Sequence, residues 1–227
     1  TQDVAERVGH LSRTLYGDGM WRTEVRDEVN DTAYLTIGLP PHTDGTYLDP
    51  APGVQVFHCL RQSEVGGETL LVDGLKIVER LRRDHPETFS FFSTTLLPFA
   101  HRDQDTSRIE WKRVIDLYED DGSFRSISVN NDDRTSIAAL SLGASNASSY
   151  PTLHHHIRTL SSIVLDPAMP ATLPLKPGTV CLINNHRVLH GRTAFEPNSK
   201  RVLAGCYIDR DVWQGNLRAL YAKKLLE

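Results

Sequence analysis

The feature that most constrains the fold is a succession of short apolar segments separated by turns rich in glycine and proline. Residues 54–59 alternate in polarity directly after a turn-forming run, and residues 68–72 follow the pair Gly66 and Gly67, so both segments predict β-strands. Three further segments are also predicted to be strands: residues 124–129, 179–183 and 201–208. Many short strands joined by such turns are typical of a barrel or a sandwich.

Three other segments carry apolar residues at the spacing of an α-helix. Residues 1–13 have this spacing, and so do residues 152–165. Residues 75–83 do as well, and they follow Asp73, whose carboxylate is a good N-terminal cap. We therefore predict a mainly β fold with flanking helices.

The bulk properties exclude several classes of protein. A chain of 227 residues with 39% hydrophobic residues suits one domain with a substantial core. Its net charge of −4 gives no electrostatic reason to expect nucleic acid or an anionic membrane as a partner. No run approaches the roughly 20 apolar residues of a membrane-spanning helix.

The three cysteines are odd in number and widely spaced: Cys59, Cys181 and Cys206. This pattern predicts neither a disulfide framework nor a zinc motif, and it favours reduced cysteines in an intracellular protein. The first residues are not typical of a signal peptide. They resemble the middle of a protein, so we expect a segment upstream of this chain.

A candidate metal site begins with His42 and Asp44. Residues two apart in a strand project to the same face, so these side chains would converge, although the pair alone could equally be a strand end facing water. His190 follows a later strand whose end is polar. Two histidines and one carboxylate form the facial triad of non-haem iron(II) oxygenases, which leaves three positions open. Zinc hydrolases also use two histidines and an acid, so the ligand types leave zinc open.

Other histidines compete for this role. His186 lies close to His190 in the sequence and is the main alternative ligand. The three consecutive histidines at residues 154–156 would point in three directions on a helix, so we expect them on a solvated face.

Four segments resemble the family of trimethyllysine and γ-butyrobetaine dioxygenases, within the wider taurine-dioxygenase-like group. They are, in order along the chain, residues 41–47, 53–59, 66–74 and 187–192. The similarity extends from Tyr16 to Asp211. It implies a double-stranded β-helix (jelly roll) with flanking helices and helical insertions. It also implies that residues 1–227 are a single catalytic domain, without the N-terminal zinc domain of the family.

The resemblance implies Fe(II), held by the triad above, with 2-oxoglutarate as co-substrate, O2 as oxidant and ascorbate as a stimulant. It assigns the far carboxylate of 2-oxoglutarate to Arg201, assisted by the hydroxyl of Thr69. A guanidinium suits this role because its planar fork bonds a carboxylate bidentately. Arg192 is the runner-up, and Arg201 taken alone could be a surface cation.

The resemblance also implies a substrate pocket. Four aromatic residues match a cage for a trimethylammonium group, although each taken singly could be core packing: Tyr16, Trp21, Tyr34 and Tyr207. Asp31 is the acid expected to bind an α-ammonium group. A substrate-binding asparagine is expected at Asn131, with Asn130 as an equal alternative.

The expected activity is therefore hydroxylation of N6,N6,N6-trimethyllysine to its 3-hydroxy product, an oxidoreductase step of carnitine biosynthesis. The alternatives are a hydroxylase acting on γ-butyrobetaine or another quaternary amine or amino acid, and a non-catalytic jelly-roll binding module. The expected partner is a small quaternary ammonium compound, with a homodimer left open. The expected compartment is the mitochondrion or the cytoplasm.

Overall fold

Two four-stranded antiparallel sheets form the centre of the fold. The computed structural model describes residues 1–14, 19–24, 34–103, 106–135, 150–196 and 198–225. The first sheet contains, in spatial order, β1 (Met20–Glu24), β12 (Val202–Ile208), β3 (Val54–Arg61) and β10 (Val180–Asn184). The second contains β2 (Leu39–His42), β11 (Val188–Arg192), β4 (Thr69–Asp73) and β9 (Ala171–Leu173). The sheets face each other, since Phe57 of β3 packs edge-on to His190 of β11 with ring centroids 5.5 Å apart. This arrangement is the jelly roll expected from the sequence.

In the described part of the chain, two hairpins and five helices surround the sheets. The hairpins are β5 (Leu97–Arg102) with β6 (Ser107–Lys112), and β7 (Ile115–Leu117) with β8 (Phe124–Ile127). The helices are α1 (Gln2–Glu6), α2 (Gly74–Asp84), α3 (Pro86–Thr94), α4 (Tyr150–Val164) and α5 (Arg210–Lys224). Among the residues that the structure describes, no helix is both long and apolar enough to cross a membrane.

The first sheet is covered on both faces. Along β3, Val54 and Val56 pack with Ile208 in a cluster that includes residues of α1 and α5. The alternate residues Gln55 and Phe57 line a cleft between the two sheets. This explains why the first three residues of β3 are all buried, as expected where both faces of a strand are covered.

The second sheet packs its outer face against helices. Val72 of β4 and Leu189 of β11 are fully buried in the largest apolar cluster, together with side chains of α2, α3 and α4. Helix α2 begins as predicted, because the Asp73 carboxylate accepts a hydrogen bond of 3.0 Å from the N–H of Leu75. The helices thereby hold β4 and β11 from outside and leave their inner faces for the cleft.

The predicted strands and two of the three predicted helices are confirmed, whereas the first helix is much shorter than residues 1–13. It ends at Glu6, and the following chain instead runs along β12, where the N–H of Ser12 donates to Tyr207 O. Tertiary pairing with the strand replaces the helical hydrogen bonds that the apolar spacing favours. All three cysteines are free, as predicted.

Candidate metal centre and active-site cleft

Three predicted ligands come together at the inner face of the second sheet. His42 ends β2, and His190 lies directly opposite it on β11. Alternation along β11 buries Leu189 in the outer cluster and turns His190 inward. The candidate ligand atoms of His42, Asp44 and His190 all lie within 4.8 Å of one another. The Nε2 atoms of His42 and His190 lie 3.4 and 3.6 Å from the two oxygens of Asp44.

A glycine allows the close approach of the two strands. A Cβ atom on Gly191 would lie 2.5 Å from Leu39 O and 2.9 Å from Pro41 N. Because glycine lacks that atom, β2 can come close enough for the rings of His42 and His190 to lie 4.5 Å apart.

Neighbouring groups orient the three candidate ligands. His42 Nδ1 lies 2.8 Å from Pro40 O, which can only accept, so Nδ1 carries the proton and Nε2 is left free for a metal. The hydroxyl of Tyr207 donates to Asp44 Oδ2 at 2.7 Å. Asn185 accepts from the backbone N–H of Asp44 at 2.8 Å and donates to Asp44 O at 3.0 Å. The backbone and the carboxylate of Asp44 are therefore both held in place.

The protonation states suit metal binding. Burial opposes ionisation of Asp44, but the neighbouring histidines and the Tyr207 hydroxyl outweigh it and hold the pKa of this carboxyl well below its usual range. Burial lowers the pKa of His190 to about 4, so its imidazole is neutral at physiological pH. Burial also acts against a charged His42, yet Asp44 outweighs that effect and raises the pKa of His42. A metal ion would therefore displace one proton at most from the histidines.

The donor set fits a divalent transition metal. Two imidazole nitrogens and one carboxylate oxygen lie close enough together to share one ion, and all three residues line the cleft. Such a set leaves coordination positions open toward the cleft. His190 Nδ1 is buried and has no hydrogen-bond partner among the described residues, so only Nε2 of this ring faces the other candidate ligands.

His186 is not part of this group. Its Nε2 donates to Ala51 O at 3.1 Å, and its Nδ1 accepts from Arg210 at 3.4 Å. Both ring nitrogens are thus engaged in structural contacts, and the histidine that meets Asp44 is His190.

The expectation for the three consecutive histidines is wrong at one position. His154 and His155 are exposed, but His156 is only 7% exposed. Its ring stacks on Phe91 with centroids 4.3 Å apart, and its Nδ1 lies 2.9 Å from the hydroxyl of Thr88. The reason is tertiary: α4 packs against α3, and His156 lies on that contact face.

A cleft of about 1170 Å³ opens from the metal centre and is lined by both candidate anion-binding arginines. The guanidinium of Arg192 donates to Ile37 O at 3.4 Å and to Leu35 O. Arg201 is 8% exposed, lies 5.4 Å from the ring of Phe195, and has no hydrogen-bonding or acidic partner among the described residues. Desolvation lowers the pKa of Arg201, as expected for a cation that lacks a counter-charge.

Thr69 lines the same cleft and is 4% exposed. Within the described part of the chain its hydroxyl has no hydrogen-bond partner, so it is available to a ligand.

Three of the four predicted cage aromatics line the cleft. The Trp21 ring lies on Gly205, where any Cβ would meet it at 2.3 Å, and its centroid is 6.1 Å from that of Tyr207. Tyr34 lies on the cleft wall. Tyr16 and Asp31 are outside the described residues.

Of the two candidate asparagines, Asn130 faces a polar cluster, because its side-chain N–H donates to Asp133 Oδ2 at 3.1 Å. Asn131 is exposed, although it lines the cleft. The sequence reasoning missed Asp133 and also Asn185. Asn185 lies in the polar strand end before His190 that the sequence analysis singled out, so a signal for it was available.

The comparison with protein families decides the classification. The chain matches the family described as "Taurine catabolism dioxygenase TauD, TfdA family" over residues 1–207. The chain belongs to this family. Its similarity to TauD/TfdA members therefore extends over both sheets and includes all three candidate metal ligands.

Curated relatives refine this picture. The mitochondrial trimethyllysine dioxygenase of Gallus gallus is 37% identical over 217 residues, which are 93% of this chain and 50% of the relative. The mitochondrial trimethyllysine dioxygenase of Homo sapiens is 35% identical over 218 residues, 93% of this chain and 49% of the relative. The γ-butyrobetaine dioxygenase of Homo sapiens is 31% identical over 221 residues, 96% of this chain and 56% of the relative. The chain thus spans about half the length of the curated relatives it matches.

Solved structures share the fold. Asparagine oxygenase in complex with Fe(II), 2S,3S-3-hydroxyasparagine and succinate aligns with a TM-score of 0.69 at 18% identity, covering 91% of this chain and 62% of that chain. A taurine dioxygenase from Burkholderia xenovorans aligns with a TM-score of 0.65 at 14% identity, covering 92% of this chain and 72% of that chain.

Proposed function

We propose that this chain is the catalytic domain of an Fe(II)- and 2-oxoglutarate-dependent dioxygenase that hydroxylates N6,N6,N6-trimethyllysine at C3. One observation carries the proposal. The clustered side chains of His42, Asp44 and His190 line the same cleft as Arg201, which has no hydrogen-bonding or acidic partner among the described residues. An open metal site together with an anion site is what this class of oxygenase requires.

His42, Asp44 and His190 would hold Fe(II). Held there with 2-oxoglutarate and O2, the iron would supply the oxidant for an unactivated C–H bond, and 2-oxoglutarate would become succinate and CO2. Asn185 holds the backbone of Asp44, Tyr207 holds its carboxylate, and the neutral His190 offers Nε2 as a ligand.

Arg201 would bind the far carboxylate of 2-oxoglutarate, with Thr69 as a hydrogen-bond donor. A buried guanidinium with no counter-charge is costly, and a bound dianion removes that cost. Arg192 is less suited, because backbone carbonyls already accept its hydrogen bonds.

The trimethylammonium group would bind between aromatic rings, since it has no N–H to donate and is attracted by aromatic faces. Trp21, Tyr34 and Tyr207 are the cage residues that line the cleft. We propose Tyr16 and Asp31 as further contacts, on the resemblance alone. The relatives named trimethyllysine dioxygenase support this substrate, and the γ-butyrobetaine dioxygenase at 31% identity supports γ-butyrobetaine as the second candidate.

The test is succinate release by the purified chain with Fe(II), 2-oxoglutarate and a panel of methylated amines. We expect substrate-stimulated succinate release to be fastest with trimethyllysine. Faster succinate release with γ-butyrobetaine would make γ-butyrobetaine the proposed substrate and leave the proposed class of enzyme unchanged. His42→Ala, Asp44→Ala and His190→Ala should each lose Fe(II) binding in equilibrium dialysis, whereas His186→Ala should retain it. The opposite result for His186 and His190 would refute the metal site.

A further inference from the structure

The half-buried carboxylate of Asp133 lies next to the proposed metal centre and is neither a proposed metal ligand nor a proposed 2-oxoglutarate contact. Asp133 ends a turn, and its carbonyl accepts a hydrogen bond of 2.7 Å from the N–H of Ala100 in β5. Its side chain lines the same cleft as His42 and Asp44 and is close enough for its charge to interact with theirs.

Only one oxygen of this carboxylate is engaged. Oδ2 accepts from the hydroxyl of Thr46 at 2.7 Å and from the side-chain N–H of Asn130 at 3.1 Å. In the part of the chain that the structure describes, no group donates to Oδ1, and no lysine or arginine pairs with Asp133. Two donors thus fix the carboxylate and leave its other oxygen open. Since an unpaired carboxylate away from water is costly, such an arrangement favours a cationic ligand.

We propose that the open oxygen of Asp133 binds the α-ammonium group of an amino-acid substrate and so selects substrates that carry one. This inference rests on the proposed function, whose substrate has two different cationic ends. The trimethylammonium end cannot donate a hydrogen bond, whereas the α-ammonium end has three N–H donors and needs an acceptor. The α-ammonium is attached to the carbon next to the one proposed to react, so it must lie near the metal centre, where Asp133 lies. Asp31, assigned to the same ammonium by resemblance, would be a second acidic contact.

The alternative is that Asp133 only holds Thr46 and Asn130 in place. Asp133→Asn separates the two roles, because asparagine keeps an oxygen that accepts from both residues and removes the charge. Asp132→Asn is the matched control: Asp132 is its exposed neighbour, and the substitution changes the net charge equally.

The experiment compares trimethyllysine with 6-(trimethylammonio)hexanoate, the same molecule without its α-amino group. Binding is measured by calorimetry without O2, with Fe(II) and 2-oxoglutarate present, and hydroxylation is then measured in air. We expect the wild type to bind trimethyllysine at least about tenfold more tightly than the analogue, as a hydrogen bond between charged groups implies. Asp133→Asn should lose most of that preference without a change in affinity for the analogue, and Asp132→Asn should match the wild type.

Two results would overturn the inference while the proposed function stands. One is an unchanged preference in Asp133→Asn, and the other is an equal loss of affinity for both compounds, which would mark Asp133 as structural. If the wild type bound neither compound and released no succinate, the proposed function itself would fail, and the inference with it.

Discussion

At the scale of single residues, two arginines in one cleft have different contacts. We expect Arg201→Ala to raise the KM for 2-oxoglutarate by at least about 30-fold, since truncating one partner of a buried charge pair costs roughly 2–5 kcal/mol. Its stability should change little, because Arg201 has no hydrogen-bond partner to lose among the described residues. Initial rates at varied 2-oxoglutarate and urea unfolding measure the two effects.

Arg192→Ala is the matched comparison and should show the opposite pattern. It would leave the carbonyls of Leu35 and Ile37 without their donor, which costs about 1–3 kcal/mol of unfolding free energy. A larger rise in the KM for 2-oxoglutarate in Arg192→Ala than in Arg201→Ala would move the carboxylate site to Arg192.

Asn185 acts at the same scale through the backbone of a proposed ligand. Asn185→Ala removes the contacts to Asp44 N and Asp44 O, so Fe(II) affinity should fall by about 10–100-fold, as is typical when support for a metal ligand is lost. Asn184→Ala removes only a contact to the N–H of His186 and should bind Fe(II) nearly as the wild type does. Equal Fe(II) affinities of the two variants in equilibrium dialysis would contradict this role.

At the scale of elements, the contact between β2 and β11 depends on Gly191. Gly191→Ala would force Leu39 O away from a Cβ only 2.5 Å distant, and such overpacking costs about 1–3 kcal/mol. Because the shift separates the strands that carry His42 and His190, Fe(II) binding should weaken as well. Urea unfolding and equilibrium dialysis report the two losses.

The control for that substitution is Gly215→Ala in α5. Among the described residues, no atom beyond its chain neighbours and the surrounding helix backbone lies within 4 Å of a Cβ built at Gly215, so alanine should stabilise the helix by about 0.5–1 kcal/mol and leave Fe(II) binding unchanged. If both substitutions stabilised the protein, the close approach at Gly191 would not be real.

At the scale of the whole molecule, His186 links stability to pH. Burial, followed by the charge of Arg210, lowers the pKa of His186 to about 4, below the value near 6.5 of an unfolded histidine. The unfolded chain therefore binds a proton that the folded chain excludes, so the contribution is fully present above about pH 6.5 and is lost as pH falls toward 4. From these pKa values the loss amounts to roughly 3 kcal/mol at most.

His186→Gln should remove this contribution and flatten the decline in unfolding free energy between pH 7 and pH 4. Urea unfolding of both proteins across that range measures the difference. Parallel pH profiles for wild type and variant would show that His186 is already exposed in the folded protein.

The sequence predicted secondary structure best where it depends on residues close together in the chain. Asp73 caps α2 because a carboxylate reaches an N–H two residues away, and the strands at residues 54–59 and 179–183 follow from composition and turns. His156 shows the opposite case, because its burial depends on α3, which lies far away in the sequence and was not predicted.

The candidate site also has features that the sequence predicts and features that depend on the folded structure. The types and order of His42, Asp44 and His190 were visible in the sequence, together with the chemistry that such a set favours. Which of the two arginines lacks a hydrogen-bond partner among the described residues depends on where backbone carbonyls lie after folding. The choice of Asn130 over Asn131 as the inward side chain likewise depends on a turn that brings Asp133 beside Thr46.

The sequence by itself therefore determined a mainly β fold with flanking helices, the three candidate metal ligands and a family resemblance that implied the jelly roll, since each is carried by short-range patterns or residue types. Only the tertiary structure decided that His190 lies opposite His42, that Asn185 holds Asp44, and that Oδ1 of Asp133 has no donor among the described residues. The physical reason is that these contacts join segments distant in the chain. Their geometry is set by strand register and by how closely two backbones approach, as Gly191 shows.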